Sequence, residues 1–98
     1  ALALALAQEA VALGLDRELS QIERVFLCLP YMHSESLAIH DEALRLFSAI
    51  GLQDNLEFEH RHRAIIERFG RYPHRNAILG RESSEEELAF LQQPGSSF

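Results

Sequence analysis

A chain of 98 residues supports one domain, and a chain of this size removes only roughly 60–70% of its unfolded surface from water, so its core is modest. An apolar fraction of 47% beside a charged fraction of 24% excludes intrinsic disorder. The single cysteine, Cys28, excludes an intrachain disulfide and makes the cytoplasm the default compartment, while a net charge of −6 argues against a surface that tracks a nucleic-acid backbone.

The opening run of alternating Ala and Leu over residues 1–7 is too short and lacks the basic flank of a signal peptide. Nor does any apolar stretch approach the ~20 residues that cross a bilayer. Alanine favours helix strongly, and the pattern continues through Val11 and Leu13, so a first helix is predicted to end near Leu13, where Gly14 suits a left-handed residue. Ser20 with Glu23 has capping-box spacing, and Ile22, Val25, Phe26 and Leu29 continue a second helix that Pro30 interrupts. Ser34 or Ser36 caps a third, whose apolar rows (Leu37, Leu44 and Phe47 beside Ile39, Ala43, Leu46 and Ile50) stop at Gly51. A fourth is predicted from about Asn55 to Phe69. Its stripe is Phe58, His62, Ile65 and Phe69, and its flank carries the i,i+4 pairs Glu57/Arg61 and Glu59/Arg63. Residues 71–81 carry neither period and read as a loop, after which Ser83 or Ser84, each with a glutamate three residues on, opens a short fifth helix through Leu91.

The stretch from Leu13 to Asp16 is echoed 37 residues later by Ile50, Gly51, Leu52 and Asp54, an offset that suits stacked helix hairpins. The expected fold is therefore all-α, with antiparallel helix hairpins in a single domain over residues 1–98. Residues 61–80 read RHRAIIERFGRYPHRNAILG; with Leu29 to Glu35 upstream and Phe90, Leu91 and Pro94 to Phe98 downstream, they resemble the bacterial family called domain of unknown function 924. That resemblance implies a tetratricopeptide-like helical fold, a chain about twice this length of which this is the carboxy-terminal half, and no established activity.

Charge is unevenly placed. Residues 60–81 hold six arginines and three histidines against one acid, whereas residues 1–59 hold three arginines against ten acids and residues 82–98 hold four acids and no base. Arginine without lysine suits bidentate recognition of phosphate or carboxylate. Arg71, His74, Arg75, Asn76 and Arg81 are thus candidate anion ligands between two helix ends, with His62 on the neighbouring helix stripe; the alternative is that Glu82, Glu85, Glu86 and Glu87 neutralise the arginines and staple the last helix to the body. His62 otherwise reads as a hydrogen-bonded core histidine. His33 near Glu35 and His40 beside Asp41 fit no catalytic signature, His60 and His62 point to different faces, and Cys28 reads as a small core hydrophobe. No HExxH, GxSxG, phosphate-binding glycine loop or CxxC occurs, so no metal or cofactor is expected.

Two functions follow. The first is a non-catalytic binding or interaction domain with an arginine-rich anion-binding loop. The second is a hydrolase-like enzyme that acts on a phosphorylated or carboxylated small molecule through His62 or His74. The expected partners are an absent amino-terminal half, or a second copy, against exposed apolar helix faces, together with a small anion or peptide; nucleic acid and membrane are not expected. A deep pocket uniting either histidine with the arginines would favour the enzyme, and a shallow open groove the binding domain.

Overall fold

The computed structural model describes residues 2–98. Five α-helices follow one another without a strand among the described residues: α1 (Leu2–Ala12), α2 (Gln21–Met32), α3 (Leu37–Ile50), α4 (Gln53–Phe69) and α5 (Glu85–Leu91). Single 3-10 turns at Leu15–Glu18 and Pro73–Arg75 punctuate the connections. No helix among them is long and apolar enough to cross a membrane.

Local chemistry sets most boundaries. Ser20 accepts from the Glu23 amide at 3.2 Å while Glu23 accepts from the Ser20 amide at 3.0 Å, which satisfies two of the orphan donors that begin α2. Ser84 and Glu87 repeat the device at α5. Ser83 is left free to accept a hydrogen bond from Asn76 instead. Ser36 is the cap of α3, and Ser34 supports it by accepting from the Ser36 amide. Gly14 and Gly51, the two glycines of the 37-residue echo, both adopt positive φ (74° and 82°) past helix ends, where a side chain would be strained.

Two expectations need correction. α2 does not stop at Pro30 but continues to Met32. Proline removes only the bond to the Phe26 carbonyl, on the exposed side of the helix, whereas burial of Tyr31 and Met32 at 2% and 4% exposure holds the extra turn in place. α4 starts two residues early, at Gln53.

The first four helices pack in succession, with α2 against α3 and α3 against α4 as the broadest contacts, while α5 rests on the 3-10 turn at Pro73–Arg75. The main core joins Val25, Cys28, Tyr31 and Met32 to Ala43, Leu46, Phe47 and Ile50. A smaller one joins Ile65, Ile66 and Tyr72 to Phe69 and Phe90. Cys28 is buried, and burial raises its thiol pKa to about 11, so it behaves as a hydrophobe. α1 fully buries only Ala7, packs Leu4 and Val11 against the core, and leaves Leu2 and Leu6 exposed, as is Leu13 just past its end.

Between the two cores lies a buried polar network. His40 on α3 is fully buried and places Nδ1 2.7 Å from Oε2 of Glu59, itself fully buried on α4. Its Nε2 lies 2.7 Å from the Ser34 carbonyl and 2.9 Å from the Tyr72 hydroxyl, which donates to the Met32 carbonyl at 2.6 Å. Because that hydroxyl proton is committed to Met32, Nε2–H of His40 donates, and a single proton is shared between Nδ1 and Glu59. Glu59 is therefore not part of a solvated flank; Arg63 pairs with Asp41 and Glu67 instead. Burial pushes the Glu59 carboxyl upward, opposed by its bond to His40.

Candidate functional site

The loop that follows α4 is held by its own polar residues. Gly70 ends α4 at φ 71°, Tyr72 enters the core fully buried, and Pro73 starts the 3-10 turn that aims Asn76 inward. Arg71 donates through Nε and Nη2 to both oxygens of Glu87 at 2.9 and 2.8 Å, and to the Glu82 carbonyl at 2.8 Å. Asn76 donates to the same carboxylate at 3.1 Å. Arg81 takes the Asn76 side-chain oxygen at 3.0 Å and forms a bidentate pair with Glu35 at 3.0 and 3.1 Å. Glu35 also accepts from the Tyr72 amide at 2.7 Å. These bonds favour the ionised carboxylates. The Arg71 bond holds Glu87 well below the usual carboxylate range, and the Arg81 bond lowers Glu35 despite partial burial.

Arg71 and Arg81 thus have internal counter-charges: Glu87 for one and, for the other, Glu35 from before α3. Arg75 differs. Its guanidinium lies over the Tyr72 ring at 4.8 Å from the centroid and donates to the His33 carbonyl at 2.9 Å, with no carboxylate at ion-pair distance among the described residues. It borders an open cleft of about 720 Å³ walled by Leu4 of α1 and by Phe26 and Leu29 of α2, with His33 and Glu35 at the rim.

His62 and His74 do not line that cleft. His62 is buried and donates Nδ1–H to the Phe58 carbonyl at 2.6 Å. His33 makes the same bond one turn back, to the Leu29 carbonyl at 3.0 Å. Each ring therefore keeps an unprotonated Nε2. Desolvation pushes His62 down to about 4 and lowers His33 and His74, so all three are neutral at pH 7. Together with Tyr72 they surround the ring of Phe98, which the turn at Pro94 and Gly95 brings back onto the body, 3.9 Å from His62 and 4.5 Å from His74 between centroids. His74 also has a buried Nδ1 without a partner.

Fold and site define an all-helical protein that stacks its first four helices in chain order and pins a basic loop against them and the fifth. The chain belongs to the family described as bacterial protein of unknown function (DUF924), whose family model matches residues 1–95. Among solved structures it is similar to the protein of unknown function ATU0120 from Agrobacterium tumefaciens, with 43% identity and a TM-score of 0.87 over 93% of this chain. It spans about half of that protein, 51% of its length. No curated protein matches it.

Proposed function

We propose that this chain is a non-catalytic binding domain whose recognition face is the cleft beside α1 and α2, with Arg75 as the anchor for a phosphate or carboxylate. One observation carries the reading: of the three loop arginines, Arg75 alone lacks a carboxylate, and it alone lines the cleft. A guanidinium with a free edge against apolar walls suits a small ligand that joins an anionic group to an apolar body. The enzymatic alternative would use His62 or His74 as acid or base; neither lines the cleft, and the Nδ1–H of His62 is held by the Phe58 carbonyl.

Calorimetric titration with inorganic phosphate and with acetate tests the reading. Arg75→Gln is expected to weaken binding at least about tenfold, or ~1.4 kcal/mol. A silent titration of the wild type, or equal affinity in the variant, refutes it.

Outside the cleft, Leu2 and Leu6 of α1 and Ile22 of α2 leave a second apolar face exposed. We propose that this face packs further helices of a longer polypeptide, in keeping with a relative about twice as long, and that in the isolated chain it takes a second copy.

A further inference from the structure

The ring cup around Phe98 is an unusual use of three histidines. His33, His62 and His74 come from α2's end, from α4 and from the loop, and with Tyr72 they place four rings at centroid distances of 3.9 to 6.2 Å from one phenylalanine. No ion pair or catalytic contact accounts for their convergence. Phe98 is itself 47% exposed. Beyond α5 the chain is tied by the bond from Ser96 Oγ to the Leu91 carbonyl at 3.1 Å, and no hydrogen bond holds Ser97 or Phe98 among the described residues. Ring contacts with four neighbours seat Phe98 without help from a hydrogen bond. With Phe98 in place His62 and Tyr72 are buried, His74 is half-buried and His33 is exposed, and His33 and His62 each donate Nδ1–H to a carbonyl one turn back.

We infer that this cup is a binding site for a flat, uncharged aromatic ring, that Phe98 is its built-in competitor, and that the natural ligand joins such a ring to an anionic group held by Arg75. The last part rests on the proposed role of Arg75. Neutral imidazoles and a phenol offer tilted and edge-to-face contacts that accept a π-face without demanding a charge. Arg75 adjoins the cup through two of its members, since it donates to the His33 carbonyl and covers the Tyr72 ring. An aryl carboxylate or aryl phosphate would therefore span cup and guanidinium. A tethered side chain has an effective concentration on the order of millimolar, enough to fill a weak ring site when no ligand is present. If Phe98 occupies the cup about nine times in ten, its removal raises apparent affinity about tenfold.

The test uses the full chain, 3-phenylpropionate as the ring-plus-carboxylate probe, 2-phenylethanol as ring alone and propionate as anion alone. Phe98→Ala should bind 3-phenylpropionate about tenfold more tightly than the wild type and 2-phenylethanol more tightly as well, with a ring-current shift of the His62 Cε1 proton. Melting curves confirm that the variant is folded, as expected for a half-exposed residue. Adding Arg75→Gln to Phe98→Ala should then cost about tenfold for 3-phenylpropionate and nothing for 2-phenylethanol. Equal affinity of wild type and Phe98→Ala for both aryl probes, or an unmoved His62 signal, overturns the ring site even if propionate still binds through Arg75. Tighter aryl binding that ignores Arg75 keeps the ring site and overturns the two-part ligand.

Discussion

Removing the Glu59 side chain should cost this protein much of its stability, although the residue lies in neither apolar cluster. Glu59→Ala strands Nδ1 of a fully buried His40 and leaves a void between α3 and α4. Breaking one side of a buried ionic pair costs about 3–5 kcal/mol, because the remaining group has no water to turn to. For a domain of this size each kcal/mol lowers Tm by about 4–8 °C, so a fall of ~12–40 °C is expected, a large part of the ~5–15 kcal/mol that holds a typical domain together. The His40→Leu/Glu59→Leu double variant provides the contrast. It replaces the pair with apolar bulk, an exchange that is often close to neutral, and loses mainly the bond to the Ser34 carbonyl. The double variant should therefore be more stable than Glu59→Ala, and in a cycle with the single leucine variants the coupling should reach ~2 kcal/mol in urea denaturation. If Glu59→Ala lies within 1 kcal/mol of wild type, or the leucine variants prove additive, the buried pair does not organise this region.

Acidification should destabilise the fold between about pH 6.5 and 4. The unfolded chain protonates His62 near 6.5 and the native one only near 4, so the unfolded state binds more protons in that window, and the accumulated loss is about 3 kcal/mol at its lower end. Glu59, shifted upward, acts in the opposite direction above its ordinary value, so the diagnostic is the difference between wild type and His62→Phe, which should have the shallower slope in melts across that range. Arg71→Ala and Arg81→Ala should each lower stability by about 1–2 kcal/mol, since each strands a carboxylate that is largely or partly buried. Melting curves that coincide with wild type would show both pairs to be incidental. Sedimentation velocity of the isolated chain should show association that grows with concentration, and Leu6→Glu with Ile22→Glu should suppress it. A monomer at all concentrations removes the proposed role of that face.

Helix positions were legible from local signals such as the capping serines Ser20 and Ser84 and the glycines at 14 and 51, because each depends on bonds within four residues. Pro30 misled because tertiary burial of Tyr31 and Met32 outweighed a local breaker. The pinning of the loop was half visible. Glu87 stood among the expected counter-charges, but Glu35 lies 46 residues from Arg81, a separation without any periodic trace. Phe98 against His62 has the same character. The His40–Glu59 pair did leave a signal: Glu59 is seven residues before Ile66 and His40 seven before Phe47, so both stand on buried helical rows. Reading charged residues as solvated by default hid it.

Two of the loop arginines hold the loop through Glu87 and Glu35, and the proposed function assigns the third, Arg75, to the ligand. Arginine side-chain NMR during a phosphate titration observes this division directly. The Nε–H signal of Arg75 should shift with added phosphate, while those of Arg71 and Arg81, fixed on Glu87 and Glu35, stay in place. Movement of Arg71 or Arg81 with Arg75 silent would contradict it.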